Sequence, residues 1–458
     1  MTSSLLFLLI FIVIVTMIFY LFKLAKNDIF QPIIIAGAIF IVFYLFDIVY
    51  ILFDVKSNSN FPLSNSTFTY SKVYEITFVS IICILMWILG DFLANKMVVT
   101  HKRKSLNINI DSNTRFRGVL ALSLFIIAII VVELGVFYQF INSIGGFSYY
   151  YDHIADRALI FSGNTMLYAS IQLTTVIGSI AAGYFISIIL KRRTNFIFKT
   201  SVISLVILVL SMSLLTGARA NIMKSIIIMM VIINYLGKKI NLNLRLVISF
   251  VILGVLLIGF AQVTRNVNAD NLITNKESSI DKLFNGVEIS QINNVMILEQ
   301  YNLLGKENGS TITGGLISFI PSSLYEMLGF EKPAGGNARF TEAIWPERWN
   351  RAQSEVALGL LGEVWMNFNY IITSFIFMLL GLVYRLIYNV LVKDGRLGLL
   401  GNIVYIGFIW SIFQLLRGDF YNTINNLTIY IVACCLMYIL LKLTIIRKTK
   451  ILSKKAEI

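Results

Sequence analysis

Arginines at the ends of apolar segments are the residues of this chain whose type and position most clearly indicate binding chemistry. Arg219 follows one apolar run within Thr-Gly-Ala-Arg-Ala-Asn, Arg265 ends another, and Arg417 ends a third within Arg-Gly-Asp. The guanidinium group is a rigid fork of N–H donors that matches phosphate oxygens in two-point contacts. Arginines gathered around one cavity would therefore suit a diphosphate. For each arginine alone, snorkelling to a membrane surface or ordinary loop charge is the alternative interpretation.

Two carboxylates form the second candidate site. Glu355 and Glu363 are eight residues apart, a spacing that places them near one face of a helix, about two turns apart. A carboxylate at this position could serve as the base that takes a proton from a substrate hydroxyl. A charged Glu363 inside the bilayer would cost about 3 kcal/mol and would call for a partner such as an arginine. Solvated acids at a helix end are the competing interpretation.

Several other chemistries are not supported by the sequence. The three cysteines lie in apolar runs without ligand spacing, which argues against both a disulfide framework and a zinc site. The chain has two histidines and no glycine-rich phosphate loop, so we expect neither a metal nor a nucleotide cofactor. Its net charge of +14 is scattered between apolar runs, which favours a membrane surface over nucleic acid as the partner.

The elements that must position these residues are membrane-spanning helices. Of the 458 residues, 57% are hydrophobic and 14% are charged, which is outside the range of soluble domains. Runs of roughly 20 apolar residues cross the bilayer as helices, because lipid offers no partners to backbone N–H and C=O groups. The sequence therefore predicts an all-α, polytopic transmembrane bundle of about eleven spans. The spans are expected near residues 4–22, 32–53, 73–95, 118–140, 167–190, 200–215, 221–236, 246–264, 357–387, 398–416 and 422–441.

Lysine and arginine collect in alternate loops, and basic loops remain cytoplasmic. The loops around Lys102 and Lys191 and the C-terminal tail are basic, whereas residues 57–71 and 141–164 contain few basic residues. With an odd number of spans, this pattern predicts an outer N-terminus and a cytoplasmic C-terminus. The expected regions are an N-terminal transmembrane bundle at 1–264, a large outer loop at 265–356, and C-terminal helices with a basic cytoplasmic tail at 357–458.

The outer loop is long enough to form a small domain, and long loops in compact proteins are usually functional. It carries three further outer arginines, Arg339, Arg348 and Arg351. Apolar residues also recur in it at near-helical spacing, which predicts a short helix that lies on the membrane, caps a cavity, or simply covers a surface. These residues are Ile280, Leu283, Phe284, Val287, Ile292, Val295 and Met296.

Four segments in the second half of the chain carry a resemblance to a known family. They are Thr-Gly-Ala-Arg-Ala (216–220), Gly-Gly-Leu-Ile-Ser-Phe-Ile-Pro (314–321) followed by Glu-Lys-Pro (331–333), Leu-Gly-Glu-Val-Trp-Met-Asn-Phe (361–368), and Arg-Gly-Asp (417–419). In order, spacing and outward placement, this set resembles the bacterial O-antigen polymerases, also called oligosaccharide repeat unit or Wzy-type polymerases. The chain departs from the family after Pro321, where Ser322 and Ser323 replace an arginine that the family often has there. Arg339, Arg348 or Arg351 would take its place.

The resemblance implies a GT-C-like glycosyltransferase of the bacterial inner membrane that polymerises undecaprenyl-pyrophosphate-linked repeat units at the outer face. It implies that Arg219, Arg265, Arg339, Arg351 and Arg417 bind pyrophosphate or glycan, with Glu363, or failing it Glu355, as the base or positioning group. No metal or cofactor is implied. The implied partners are the lipid-linked donor and acceptor, membrane lipid and a chain-length regulator protein.

Two other proteins of such a pathway, and a non-catalytic membrane scaffold whose outer arginines could be exchanged freely, remain as alternatives. A flippase for lipid-linked oligosaccharides would carry charge along a central passage and short loops on both sides, whereas the long outer loop favours an outward active site. An O-antigen ligase would share the architecture and differ only in its acceptor. The sequence separates polymerase and ligase poorly.

Overall fold

The computed structural model describes a helical protein with no strand among the residues it covers. These residues are 2–26, 28–45, 70–97, 114–152, 160–161, 164–216, 219–237, 239, 291–320, 322–352, 355–394 and 397–455. The helices of this part are α1 (Thr2–Ala25), α2 (Pro32–Phe40), α3 (Tyr70–Met97), α4 (Thr114–Ser143), α5 (Gly146–Asp152), α6 (Thr165–Lys191), α7 (Phe196–Leu215), α8 (Arg219–Leu236), α9 (Gln291–Gln300), α10 (Ser310–Leu316), α11 (Ser322–Met327), α12 (Gly336–Ile344), α13 (Pro346–Ala352), α14 (Leu360–Asn367), α15 (Tyr370–Tyr388), α16 (Gly398–Arg417) and α17 (Phe420–Lys455). Short π-helical turns, Ile41–Leu45 and Asn389–Lys393, extend α2 and α15.

The polytopic helical class predicted from the sequence is confirmed. Seven described segments are long and apolar enough to cross a membrane: Tyr74–Met97, Gly118–Ser143, Met166–Lys191, Phe196–Leu215, Tyr370–Lys393, Gly398–Arg417 and Phe420–Leu443. Shorter apolar helices at Ile10–Ala25, Pro32–Leu45 and Asn221–Leu236 coincide with three more predicted spans. The span expected at 246–264 lies outside the described residues.

One predicted span is wrong at its beginning. The apolar run at 357–387 is not one helix, because α14 ends at Asn367 and α15 begins at Tyr370. The side chain of Asn369 accepts the backbone N–H of Ile372 at 3.0 Å and thereby caps the start of α15. A capping asparagine competes with continuation of the preceding helix, and hydropathy alone does not reveal this. The membrane segment therefore begins at Tyr370, and α14 is a separate short helix.

By its internal contacts the chain divides into two compact units. The first comprises Met1–Val99, Asn271–Asn389 and Phe408–Thr428. The second comprises Thr100–Asp270, Val390–Gly407 and Ile429–Ile458. Each unit therefore combines segments that are far apart in the sequence.

Helices α3 and α15 run side by side in the same direction at the centre of the first unit. Glycine makes this close approach possible on both helices. A Cβ atom at Gly90 would lie 2.0 Å from the carbonyl oxygen of Met378, and one at Gly381 would lie 2.2 Å from that of Trp87. The indole of Trp87 is fully buried and stacks on Tyr384, with 5.8 Å between ring centroids.

A buried polar cluster lies near the C-terminal ends of the same two helices. Arg385 of α15 is 7% exposed, and its guanidinium donates to Gln31 Oε1 at 2.9 Å and to Asn95 Oδ1 at 2.7 Å. Its Nη1 is 3.8 Å from Oδ2 of the buried Asp91. Charged groups within membrane helices face the protein interior and pair with one another, as they do here.

The second unit is built on the packing of α4, α6, α7 and α8. Buried serines join these helices, with 3.2 Å between the hydroxyls of Ser123 and Ser201 and 2.9 Å between those of Ser213 and Ser225. Small residues and interhelical hydroxyl pairs are a common way for membrane helices to associate. Lys224 of α8 is 4% exposed, and its Nζ lies 4.6 Å from the centre of the Tyr430 ring.

Candidate active site

The segments that carry the family resemblance in the first unit meet around the beginning of α17. At Gly315, an added Cβ would lie 2.5 Å from Cβ of Phe420, and at Gly314 it would lie 2.8 Å from Cβ of Pro333. The carboxylate of Glu363, from the third segment, accepts the backbone N–H of Phe420 at 2.8 Å. Residues that are separate in the sequence therefore form one site, close to the Arg-Gly-Asp segment.

Asp419 is the centre of this site. It immediately precedes α17, and its Oδ1 accepts the N–H of Asn422 at 2.9 Å, which caps that helix. Its Oδ2 accepts the N–H of Asn337, at the start of α12, also at 2.9 Å. The carboxylate is fully buried, and the positive ends of two helix dipoles are directed at it.

Glu363 lies beside Asp419 and is also fully buried. Its Oε2 is held by the Phe420 N–H, and the Thr311 side chain also interacts with the carboxylate. Gly336 backs the carboxylate so closely that an added Cβ would lie 2.8 Å from Oε1. Burial, and secondly the charge of Asp419, raise the pKa of Glu363 well above its ordinary value.

Glu355 completes the group, and it alone of the three carboxylates is partly exposed. Its Oε2 accepts the side-chain amide of Asn422 at 2.7 Å. Burial, together with the charge of Asp419, raises the pKa of Glu355 to about 7, although hydrogen bonds from Asn422 and Asn337 act in the opposite direction. A carboxyl group with this pKa can both take and give a proton near neutral pH.

Asn337 ties the cluster to the chain segment that carries Glu355. Its Oδ1 accepts the N–H of Leu358 at 2.8 Å, and Val356 donates its N–H to Thr341 one turn further along α12, also at 2.8 Å. Gly359 follows with a φ of 82°, in the left-handed region that glycine adopts without strain, and begins α14. The expectation that Glu355 and Glu363 share a helix face is therefore wrong, because residues 355–359 are not helical. Both carboxylates nevertheless lie close to Asp419, whose charge acts on each of them.

The structure places the predicted arginines less completely. Arg417 is two residues before Asp419, is half-buried, and lies 5.9 Å from the centre of the Phe413 ring. Arg339 is exposed on α12, where its Nη1 is 3.8 Å from Oε2 of Glu342. For Arg219, Arg348 and Arg351 the structure describes the helical backbone but not the side chain. Arg265 lies entirely outside the described residues. Convergence of the five proposed arginines stays a prediction.

Sequence reasoning missed the roles of Asp419, Asn337 and Asn422. A signal for Asp419 was present, because Gly-Asp immediately before an apolar run is typical of a helix N-cap. Asn337 and Asn422 act through contacts with segments far away in the sequence, which no local pattern reveals.

In the predicted loop helix, Val295 and Met296 of α9 are buried in the core of the first unit, while residues 280–290 lie outside the described part. No group of His, Cys, Asp or Glu side chains in the described residues is arranged to hold a metal ion.

Fold and site together define a polytopic helical membrane protein with a largely buried carboxylate cluster at the starts of α12, α14 and α17. The family model for the O-antigen polysaccharide polymerase Wzy matches residues 1–450. The chain belongs to this family, and the resemblance seen in its motifs is confirmed. Comparison with curated proteins and with solved structures gave no match. Membership makes the chain an O-antigen polymerase that acts on lipid-linked oligosaccharide repeat units in the membrane.

Proposed function

We propose that the chain transfers a growing glycan from undecaprenyl pyrophosphate to an incoming lipid-linked repeat unit at the outer face of the inner membrane, with the carboxylate cluster at the reaction centre. The observation that carries this proposal is the meeting of the family-like segments around Glu355, Glu363 and Asp419 in one unit. The proposed eleven-span topology, with an outer N-terminus and a cytoplasmic C-terminus, rests on the distribution of basic loops.

The proposed reaction needs one proton acceptor and a stabilised leaving group. A hydroxyl at the non-reducing end of the incoming unit attacks the anomeric carbon of the growing chain and forms a new C–O bond. The bond from that carbon to the pyrophosphate breaks, and its electron pair leaves with the lipid pyrophosphate. The hydroxyl proton passes to a carboxylate of the site.

Glu355 fits the role of base better than Glu363. Glu355 is partly exposed, and its pKa of about 7 leaves a substantial ionised fraction at neutral pH. Glu363 is fully buried and bonded to the start of α17, so we assign it as a positioning residue. Asp419 holds the starts of α12 and α17 together, which fixes the group that carries the base.

The arginines supply the charge that the leaving pyrophosphate requires. Preorganised cations at developing negative charge are the usual source of the largest catalytic effect. Arg417 adjoins the cluster in the sequence, and the exposed Arg339 has one long contact with Glu342. We propose both as pyrophosphate or glycan ligands, together with Arg219, Arg265 and Arg351.

Reconstitution with a lipid-linked repeat unit tests this proposal, with polymer length read on a gel. We expect the wild-type protein to produce a ladder, and the Glu363→Gln and Arg417→Ala variants to leave single units. Glu326→Gln changes an exposed carboxylate on α11 and is the matched control. We expect this variant to produce the same ladder as the wild type. Full polymer from Glu363→Gln and Arg417→Ala would refute the site.

Cells that lack the chain separate the alternatives. Loss of a polymerase leaves a single repeat unit attached to its final acceptor, whereas loss of a ligase leaves none attached. Loss of a flippase keeps the lipid-linked unit on the cytoplasmic side. We expect the first result.

A further inference from the structure

A cavity of about 490 Å³ lies in the first unit beside the carboxylate cluster. Its walls come from the start of α3, the end of α9 and the junction between α14 and α15. This volume is in the range of pockets that bind small molecules. The proposed base Glu355 and its partners Asp419 and Asn422 are not among its lining residues, so the cavity is a separate feature.

One wall of the cavity carries fixed charges. Lys72 Nζ lies 2.7 Å from Oε1 of Glu299 and 3.2 Å from Oε2 of Glu75. All three side chains are partly exposed and line the cavity. The two carboxylates retain free acceptor positions, because each oxygen can accept more than one hydrogen bond. Hydroxyl groups of a ligand are the donors that such a wall would bind.

Other walls are aromatic. Trp365, Phe368 and Tyr370 line the cavity, and the Tyr370 side chain is 53% exposed. The face of an aromatic ring is electron-rich, and the C–H groups on one face of a pyranose ring pack well against it. Aromatic rings opposite carboxylates therefore match a molecule with one C–H face and a rim of hydroxyls.

Asn367 supplies an independent observation that favours a polar ligand in the cavity. Its Nδ2 donates to Thr311 Oγ1 and to the carbonyl oxygen of Glu363, both at 2.7 Å. Its Oδ1 is buried and has no hydrogen-bond partner among the described residues, although the residue lines the cavity. A buried acceptor left without a donor is costly, and a ligand hydroxyl would satisfy it.

We propose that this cavity binds a pyranose of the repeat-unit glycan, held by Asn367, Glu75 and Glu299 and stacked on an aromatic wall. The inference rests on the proposed function and adds the position of the glycan. Two carboxylates face one lysine in the wall, so a neutral or amino sugar fits this subsite, whereas an acidic sugar would be repelled. Asn367 and Glu363 lie one turn apart on α14, which connects the subsite to the carboxylate cluster.

Glycan binding to the full chain in nanodiscs tests the subsite. The probe is the oligosaccharide released by mild acid from the lipid-linked intermediate of cells that lack this chain, titrated by calorimetry. We expect Glu299→Gln to weaken binding by about tenfold or more, because a carboxylate forms the stronger hydrogen bond to a hydroxyl. Tyr370→Ala removes an exposed ring with little risk to folding and should also weaken binding, whereas Glu326→Gln should not.

The result separates the subsite from the proposed reaction. Glu363→Gln is expected to bind the probe as the wild type does while producing no polymer. If Glu363→Gln polymerises normally but Glu299→Gln and Tyr370→Ala lose binding, the assignment of Glu363 fails and the subsite stands. Wild-type affinity in both cavity variants, or no binding to the wild type, would overturn the subsite whatever the polymer assay shows.

Discussion

Replacing Glu355 by glutamine tests the proposed proton transfer most directly. Glutamine keeps the size of the side chain and an oxygen that accepts the Asn422 amide, which lies 2.7 Å away in the wild type, but it cannot take the substrate proton. A positioned general base contributes about 10²–10⁴-fold to a rate. We therefore expect polymer formation at pH 8 to fall by at least about 100-fold.

The pH dependence of the wild-type rate gives the same residue a second signature. The base must be ionised, and the pKa of Glu355 is about 7. Below pH 7 the ionised fraction of Glu355 falls about tenfold for each decrease of one in pH. The rate at pH 5 should therefore be about 100-fold lower than at pH 8. The glutamine variant has no such group, and its residual rate should lack this acidic limb.

Stability should respond to pH in the opposite direction. The pKa of Glu355 rises from 4.5 to about 7 on folding, so between these values the folded chain holds a proton that the unfolded chain has lost. This contribution is complete below pH 4.5 and disappears as the pH rises through 7, a loss of roughly 3 kcal/mol. Thermal unfolding in detergent should show a Tm that falls from pH 5 to pH 8, and falls less in Glu355→Gln.

The control for both assays is Glu326→Gln, which removes an exposed carboxylate from α11 and should leave the acidic limb and the Tm profile unchanged. A Glu355→Gln variant that polymerises at the wild-type rate, or that keeps the acidic limb, refutes the assignment of the base. If the Tm of Glu355→Gln depended on pH as strongly as the wild-type Tm, the pKa of Glu355 would not be raised as the structure indicates.

Three further substitutions test the fold by thermal unfolding in detergent. Gly381→Ala places a Cβ 2.2 Å from the Trp87 carbonyl oxygen and should lower the free energy of unfolding by roughly 3 kcal/mol. The control is Gly135→Ala, where no atom lies within 4 Å of the added Cβ, and it should lower that free energy by less than about 1 kcal/mol. Equal effects of the two changes would contradict the α3–α15 packing. Arg385→Met leaves the buried Asp91 without its cation and should cost about 3–5 kcal/mol, most of which a second change, Asp91→Leu, should restore. Asp419→Ala removes the acceptor of two helix-start N–H groups and should cost about 2 kcal/mol or more, with Asp419→Asn retaining much of the cap; an unaffected Tm in Asp419→Ala would contradict the capping role.

The positions of the membrane helices could be predicted because their signal is local and repeated. A run such as 398–416 is apolar over its whole length, and lipid permits only a helix there. The break before Tyr370 could not be predicted from hydropathy, because both sides of it are apolar. It depends on one asparagine whose side chain competes with the helix for backbone hydrogen bonds.

Part of the site could also be predicted from a local signal in the sequence. Glu363 was identified because a carboxylate within an apolar run is unusual and needs an explanation. The fixing of Asp419 by the Asn337 N–H joins residues 82 apart in the chain, and the contact of Arg385 with Gln31 joins residues 354 apart. Neither pairing leaves a pattern in a single sequence, because each depends on how the helices pack.

The break before α15 has a consequence for how the site works. Had residues 357–387 formed one straight span, Glu363 would lie nearly two turns inside the membrane helix, where a carboxylate needs a cation. As a separate helix, α14 instead sets Glu363 against the start of α17, whose backbone N–H and dipole partly offset the buried acid. The same short helix carries Asn367 one turn further, at the cavity wall. A shift of α14 would therefore alter the proposed glycan subsite and the carboxylate cluster together.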